Sequence, residues 1–171
     1  IEKLDSLNGH YLRQLSVEQL AEKTIPFLEK SGLINGDNYD LAYIKKVLSL
    51  EQTRLKNLKE AGDRLFFFFK QPEYQPELLM WRDMLFKDII ASLKISLEAL
   101  NKISESEFTR DNLERTLLKE AERAKNKDKG RLLWPLRVAL TGLEASPGPF
   151  EILEVLGKKE SIKRIETAIK L

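Results

Sequence analysis

The sequence has no cysteine and only one histidine among its 171 residues. Without cysteine there can be no disulfide framework and no thiolate metal site, and a reducing, cytoplasmic setting fits this composition. The histidine, His10, stands in LNGHYL beside a predicted turn, where a surface or packing role is more common than acid–base catalysis. Acidic pairs such as Glu105 and Glu107 lack the spacing of a calcium loop. We therefore expect neither a metal site nor a catalytic residue in this chain.

Long apolar runs are also missing. The densest run, Leu65 to Phe69, is far shorter than the roughly 18 residues of a membrane span. The N-terminal IEKLDSL is charged from its second residue, unlike a signal peptide, and the start at Ile1 without methionine favours a piece of a longer protein. No glycine-rich phosphate loop, internal repeat or low-complexity segment is present. The sequence thus predicts no membrane association.

The composition that is present is that of a folded globular protein, with 42% hydrophobic and 33% charged residues. This length is sufficient for one good core or for two small helical domains. The formal net charge is only +2, so the molecule as a whole is not a polybasic nucleic-acid binder. Any binding to nucleic acid must therefore come from a local basic face.

Helical periodicity dominates the chain, and no alternating strand pattern appears. Ser16, with Gln19 three residues later, predicts a capped helix that ends at Gly32. Pro26 lies inside this helix and predicts a kink or a break. A second long helix is predicted over residues 39–69, with Gly62 as a candidate break before the aromatic run.

The turn-rich segment KQPEYQPE predicts a boundary between two subdomains, residues 1–72 and 73–171. The sequence therefore predicts an all-α fold with two helical subdomains. In the second, Ser106 or Thr109 is the expected cap of a charged helix, and Thr141-Gly142 is the expected end of the next. The predicted helices of this part cover residues 76–103, 109–131, 131–141, 149–157 and 159–171.

One candidate recognition segment is LSLEQTRLKNLKEAGDR, in which Arg54, Lys56 and Lys59 are close together. A guanidinium on this helix is suited to a phosphate or to the edge of a base. The alternative is a solvated basic side of an amphipathic helix, and periodicity alone favours this alternative.

The second candidate segment is RLLWPLRVALTGLEASPGPF, where Arg137 stands between Leu136 and Val138 in an apolar helix. Its planar fork of five donors, restricted by apolar neighbours, suits the reading of a base edge. The stiff loop that follows ends at Phe150, and stacking of such a ring on a base contributes about 1–3 kcal/mol. The alternative is that Arg137 bonds the loop's backbone carbonyls while Phe150 belongs to the core.

These segments resemble the bacterial-type glutamyl-tRNA synthetase family. LWPLRVALTG…SPGPFEILEVLGKKESIKRIETAI is similar to the family's closing segment: an arginine, A-L-T-G, a Pro-Gly loop, an aromatic residue and an LGKE motif. EKLDSLNGHYLRQLSVEQL resembles the segment that follows the catalytic domain, and QTRLKNLKEAGDRLFFFF resembles the segment between these two. The three motifs occur in family order and cover essentially the whole chain.

The resemblance implies the anticodon-binding, C-terminal part of a class I enzyme that joins glutamate to its tRNA with ATP. Members of the family build this part as a cage of helices in two subdomains. ATP and Mg²⁺ are implied for the parent's catalytic domain, whose HIGH-like and KMSKS-like signatures do not occur in these 171 residues, and no cofactor is implied for this chain. The expected partner is tRNA(Glu), with tRNA(Gln) as an additional candidate, and the expected parent is a cytoplasmic monomer that binds neither DNA nor membranes.

The resemblance also implies roles for residues near the closing loop. Arg137 matches the arginine that contacts the central anticodon base, and Ser146 falls where relatives have threonine. Pro149 and Phe150 fall where relatives contact the first anticodon base, although Pro149 replaces the leucine of some relatives, which puts that side-chain contact in question.

The intervening motif gives two further candidates. Gln52 aligns with a position where an arginine in some relatives helps to select the third anticodon base, and Arg54 matches the more constant arginine. A glutamine there suggests relaxed discrimination between glutamate and glutamine tRNAs. Further cations are candidates for phosphate contacts, with a solvated helix end as the alternative. They are Lys56, Lys125, Lys127, Lys129 and Arg131.

Two other functions are compatible with the same residues. One is a stand-alone helical module that binds a protein partner through its leucine and aromatic faces. The other is a tRNA-binding paralogue without catalytic function. Only the tRNA-binding readings predict an affinity for tRNA that falls with salt.

Overall fold

The computed structural model of the protein describes residues 2–36, 38–123 and 128–171, with the backbone alone for residues 2–7. The described residues form α-helices and short 3₁₀ turns, with one isolated bridge between Asn35 and Asn38 and no strand, so the predicted all-α class is confirmed. No helix in these ranges is long and apolar enough to span a bilayer. The helices are α1 (Glu2–Gln14), α2 (Val17–Lys30), α3 (Leu41–Glu51), α4 (Ala61–Phe69), α5 (Phe86–Asn101), α6 (Arg110–Ala121), α7 (Gly130–Thr141) and α8 (Pro149–Ile169).

The chain divides into two compact units, residues 1–71 and 72–171. The sequence placed a boundary between residues 72 and 73. In the first unit, α2 packs against α3 and α4. Its fully buried side chains include Leu20, Leu28, Ile44, Val47, Leu48, Leu55, Leu65 and Phe67.

Helix α2 begins as predicted, with a capping box. Ser16 Oγ accepts from the Gln19 amide at 3.2 Å, and Gln19 Oε1 accepts from the Ser16 amide at 3.0 Å. Gly32 follows the helix with a left-handed φ of 65°. Of the kink or break predicted at Pro26, the break is wrong, because α2 runs through this residue. Pro26 and Glu22, whose carbonyl loses its helical donor, are both exposed, so water can replace the missing hydrogen bond.

The predicted helix over residues 39–69 is also wrong, because α3 ends at Glu51 and α4 begins only at Ala61. Between them lies a 3₁₀ turn that Asn57 caps. Its side chain accepts from the amides of Lys59 at 3.1 Å and Glu60 at 3.3 Å. The Glu60 carboxylate in turn accepts from the Asn57 amide at 3.2 Å. This second capping box competes with a continuous helix, because it satisfies the backbone donors locally.

The second unit is built from α5 to α8. Helix α7 packs against α5 and α8, and α8 also packs against α5 and α6. The buried side chains of the second unit include Leu93, Leu100, Leu113, Leu117, Leu136, Leu140, Leu153 and Ile165. Helix α8 is interrupted at Gly157, where φ is 77° and ψ is 165°, and this confirms the predicted division of that segment into two helices.

The helix predicted over residues 76–103 is shorter than expected. A 3₁₀ turn occupies Pro76–Leu79, and α5 begins only at Phe86. Arg82 stands between them with φ of 50°, in the left-handed region that a helix cannot include. Thr109 is the N-cap residue of α6, although its side chain makes no capping bond. Helix α6 ends at Ala121, earlier than the sequence predicted.

Candidate nucleic-acid interface

Arg137 lies on α7, one turn before the helix ends at Thr141, and Gly142 caps that end. Gly142 has a left-handed φ of 67°, and Thr141 stabilises the same turn because its Oγ1 accepts from the Leu143 amide at 3.2 Å. Arg137 Nη2 donates to the Glu144 carbonyl at 2.8 Å. The guanidinium carbon lies 4.7 Å from the ring centroid of Trp134. The side chain is half-buried and held on two sides, by an indole face and by a carbonyl of the following loop.

Two tryptophans that the sequence reasoning did not select support this arginine. We call Arg137, Trp134 and Trp81 the tryptophan stack. The two indole rings lie 5.1 Å apart at an interplanar angle of 37°. Trp134 Nε1 donates to the Leu78 carbonyl at 2.9 Å, and Trp81 Nε1 donates to Asp128 Oδ2 at 3.0 Å. The i, i+3 spacing of Trp134 and Arg137 was the available sequence signal, because such residues share a helix face.

The Asp128 carboxylate binds the Trp81 indole of the tryptophan stack. Its Oδ2 accepts from Trp81 and lies 3.3 Å from Arg82 Nη1, while its Oδ1 accepts from the Gly130 amide at 3.0 Å. The Trp81 hydrogen bond is the largest cause that lowers the pKa of Asp128, with contributions from the Gly130 amide and from Arg82. The carboxylate therefore remains charged at neutral pH and keeps its bond to the indole.

The loop after α7 places its candidate residues inside the unit. Ser146 is 9% exposed, and its hydroxyl donates to the Pro147 carbonyl at 3.1 Å. Pro149 occupies the first turn of α8 and is half-buried. The Phe150 ring is only 9% exposed and belongs to the core, so it offers no open face to a stacked base. The structure thus agrees with the alternative in which Arg137 bonds a loop carbonyl and Phe150 is core.

Arg164 is a further residue that sequence reasoning missed. It lies on α8 and is 2% exposed. Its Nη1 donates to the Leu140 carbonyl at 2.6 Å, and its Nε donates to Glu160 Oε1 at 2.8 Å. The carbonyls of a helix's last turn have no partner within the helix, so Arg164 stabilises the end of α7 from which the loop departs.

Gln52 has a structural role in the first unit. Its amide nitrogen donates to the carbonyls of Leu12 and Leu15, each at 2.9 Å, and so ties the end of α1 to the turn after α3. A base contact through this nitrogen would require breaking those bonds.

Arg54 lies in the non-helical turn after α3. The predicted placement of Arg54 on a continuous helix is therefore wrong. Arg54 Nε lies 3.4 Å from Glu51 Oε2, without the alignment of a hydrogen bond, and its side chain is 37% exposed. Burial raises the pKa of Glu51, and the charges of Arg54 and Arg64 oppose that rise. Arg54 therefore lies against a buried acid, and part of its side chain remains accessible to solvent.

The candidate phosphate contacts differ in accessibility. Lys56 and Lys129 are exposed. Arg131 is poorly accessible to a phosphate, because its side chain is 14% exposed and its Nη1 forms an ion pair with Asp83 Oδ1 at 2.7 Å. Lys125 and Lys127 fall outside the described residues.

The predicted site residues fall in different units. Arg137, Ser146, Pro149 and Phe150 lie together in the second unit, at the end of α7 and the start of α8, whereas Gln52 and Arg54 belong to the first. Within the described ranges, no group of three or more histidines, aspartates or glutamates could hold a metal ion. The second unit offers a half-buried arginine whose guanidinium lies on an indole ring, and the exposed Lys129, and both kinds of cation contact RNA.

Comparison with known proteins gives consistent matches. Residues 19–169 match the family described as anticodon binding domain. The chain is 36% identical over 171 residues to glutamate–tRNA ligase 1 of Caldanaerobacter subterraneus subsp. tengcongensis, covering 99% of this chain and 34% of that protein. It is 34% identical to the glutamate–tRNA ligase of Chloroflexus aurantiacus, covering 98% of this chain and 34% of the relative.

A solved structure shows the same fold. The chain matches a glutamate tRNA ligase from Elizabethkingia meningosepticum, crystallised in complex with its amino acid, with a TM-score of 0.80 and 24% identity. The match covers 99% of this chain and 32% of that one. The chain therefore spans about a third of the length of the relatives that it matches.

Proposed function

Because the chain belongs to the anticodon-binding domain family, we propose that it recognises the anticodon of tRNA(Glu) as the C-terminal part of a glutamate–tRNA ligase. The ligase would attach glutamate to the tRNA, and ATP and Mg²⁺ would act in the part of the enzyme outside this chain. A cytoplasmic monomer is part of the same proposal. The narrower proposal that tRNA(Gln) is also accepted rests on Gln52.

The observation that carries this proposal is the placement of Arg137. The residue is half-buried, and its guanidinium lies on the Trp134 ring and donates to the carbonyl of Glu144, in the loop that also contains the buried Ser146 and Pro147. Such restraint lowers the entropy that a flexible arginine would lose on binding. Proteins read RNA sequence mainly at unstacked loops, and the central base of an anticodon is presented in such a loop. We assign Arg137 to the central base because it matches, in the family that the sequence resembles, the arginine that contacts this base.

Phosphate contacts would come from the exposed lysines. Lys56 and Lys129 can neutralise backbone charge, with Lys125 and Lys127 as further candidates, whereas Arg131 already pairs with Asp83. Because the net charge is only +2, we expect the isolated chain to bind RNA weakly, with an affinity that falls as salt rises.

The test is binding of the chain to an anticodon stem-loop with the glutamate anticodon, measured across a salt series. We expect Arg137→Ala to weaken binding by about 1–3 kcal/mol while the protein remains folded. Arg115→Ala is the matched control, because it removes the same charge from an exposed residue of α6 that bonds the Asn112 side chain. Equal losses of binding free energy in the two variants would show that Arg137 contributes only its charge, and would contradict base recognition by this residue.

A helical module that binds proteins predicts a different result. The side chains that favour it are the exposed apolar residues at the start of α5, where Leu85 is 57% and Phe86 is 47% exposed. This function predicts no salt-dependent RNA binding. A wild-type chain that binds no stem-loop at low ionic strength would contradict RNA recognition by the isolated chain.

A further inference from the structure

We infer that Trp81 is a positioning residue that fixes Arg137 through Trp134, and so contributes to the choice of base rather than contacting RNA itself. This inference rests on the proposed function. Trp81 lies in the non-helical segment before α5, 53 residues before Trp134 in the sequence, yet the two rings are 5.1 Å apart. Trp134 is the ring on which the guanidinium of Arg137 lies. Trp81 therefore packs against the ring that supports the arginine.

The position of Trp81 is fixed on several sides. Its Nε1 donates to Asp128 at 3.0 Å, and its ring lies against Gly130 at the start of α7. A Cβ on residue 130 would lie only 2.4, 2.5 and 2.6 Å from three atoms of this ring, so only glycine leaves room for it. The next residue, Arg82, has φ of 50°, which non-glycine residues adopt rarely and chiefly where surrounding contacts impose it.

This arrangement limits the movement of Trp134. Its Nε1 is bonded to the Leu78 carbonyl, and Trp81 packs against its ring, so the indole has a bonded edge and a covered face. A guanidinium above an indole is attracted to the whole ring surface, and this attraction alone does not fix its place. Holding the indole in one rotamer, together with the bond to Glu144, places the donor fork in one orientation. Orientation matters more for telling bases apart than for attracting RNA.

The consequence is a specific coupling. If Trp81 acts through Arg137, its loss should reduce discrimination at the central anticodon base only while Arg137 is present. A residue that merely stabilises the unit would instead change the folded fraction, and would affect stem-loops with different central bases equally. The two possibilities are separated by a double-mutant cycle.

The experiment uses the whole chain and two stem-loops, one with the central uridine of glutamate anticodons and one with cytidine there. The preference for uridine is measured for wild type, Trp81→Leu, Arg137→Ala and the double variant. We expect Trp81→Leu to lower the preference by about 2- to 12-fold, the range for one aromatic pair. In the Arg137→Ala background the same substitution should change nothing. Trp81→Phe, which retains a ring, should recover part of the preference.

Phe86→Leu is the control, because it removes an exposed aromatic side chain of the same unit that lies outside the tryptophan stack. Circular dichroism verifies folding, and Trp81→Phe takes the place of Trp81→Leu in the cycle if the leucine variant does not fold. If Trp81→Leu lowers the preference equally with and without Arg137, or does not lower it, the inference about Trp81 is overturned while the proposed function stands. If Arg137→Ala itself has no effect, base recognition by Arg137 fails and the inference fails with it.

Discussion

Glu51 is an acid buried between two arginines, and its charge depends on them. Its side chain is 2% exposed, with Arg54 Nε at 3.4 Å and Arg64 Nη1 at 4.0 Å from its Oε2. Burial raises its pKa above the ordinary value of 4.5, and both guanidiniums oppose that shift. Arg54 therefore has a role in this unit whether or not it contacts RNA.

We predict that Arg54→Gln raises the pKa of Glu51 further, because it removes the nearer positive charge. In the unfolded chain the Glu51 carboxyl ionises near its ordinary pKa of 4.5, whereas in the folded chain it ionises at a higher pH. The free energy of unfolding therefore decreases as pH rises from about 4.5 to the pKa of the folded state. Carbon-13 NMR titration of the glutamate carboxyls measures the change. Lys56→Gln removes the same charge from an exposed neighbour and should leave Glu51 unaffected. An unchanged Glu51 pKa in Arg54→Gln would contradict the assigned interaction.

Some single-residue environments could not be predicted from the sequence. Arg131 looked like an available cation, but its partner, Asp83, is 48 residues away in the chain. Phe150 follows a loop of the kind that presents an aromatic ring, yet its ring is buried. Gln52 bonds carbonyls at the end of α1, 37 and 40 residues away. Periodicity shows which face of a helix is apolar, but not which distant group a side chain meets.

At the scale of helices, the class of fold and several ends could be read from local signals. The Ser16 capping box and the left-handed Gly142 and Gly157 stand where the sequence placed helix ends. The two wrong helices extended across residues 52–57 and 80–85. The first interruption had a local signal, because Asn57 and Glu60 have capping-box spacing. The second contains Trp81, whose contact with Trp134, 53 residues later, no local pattern reveals, and it ends where the Asp88 carboxylate accepts from the Leu85 amide at 3.0 Å.

Helices α7 and α8 are joined by a buried charge. We predict that Arg164→Met destabilises the second unit by about 1.5–3 kcal/mol, because it removes charged hydrogen bonds to the Leu140 carbonyl and Glu160. Urea unfolding followed by tryptophan fluorescence measures this, since Trp81 and Trp134 both lie in this unit. Lys163→Met, on an exposed neighbour, should cost less than about 0.5 kcal/mol. Equal effects of the two substitutions would show that the bond to α7 is not stabilising.

At the scale of the whole molecule, the restrained Arg137 belongs to a chain whose positive and negative charges nearly balance. The net charge of +2 cannot supply the strong general attraction of a polybasic RNA binder. In the proposed ligase, the remaining two thirds of the enzyme would add contacts to the acceptor arm, and this chain would contribute selectivity. Selectivity among complete tRNAs is therefore the property to measure in a complete enzyme, whereas the isolated chain is suited to measuring base preference in stem-loops.

We predict that a complete ligase containing this chain charges both tRNA(Glu) and tRNA(Gln). The third anticodon base differs between them, and Gln52, at the position proposed to read it, is an amide whose nitrogen is bonded to Leu12 and Leu15. We expect Gln52→Arg to reduce charging of tRNA(Gln) relative to tRNA(Glu). The change in the ratio of the two kcat/KM values should correspond to about 1–3 kcal/mol of activation free energy. Gln52→Met loses the same two hydrogen bonds without adding a guanidinium, so it separates structural damage from base selection. Charging of tRNA(Glu) alone by the unmodified ligase would show that other residues select the third base.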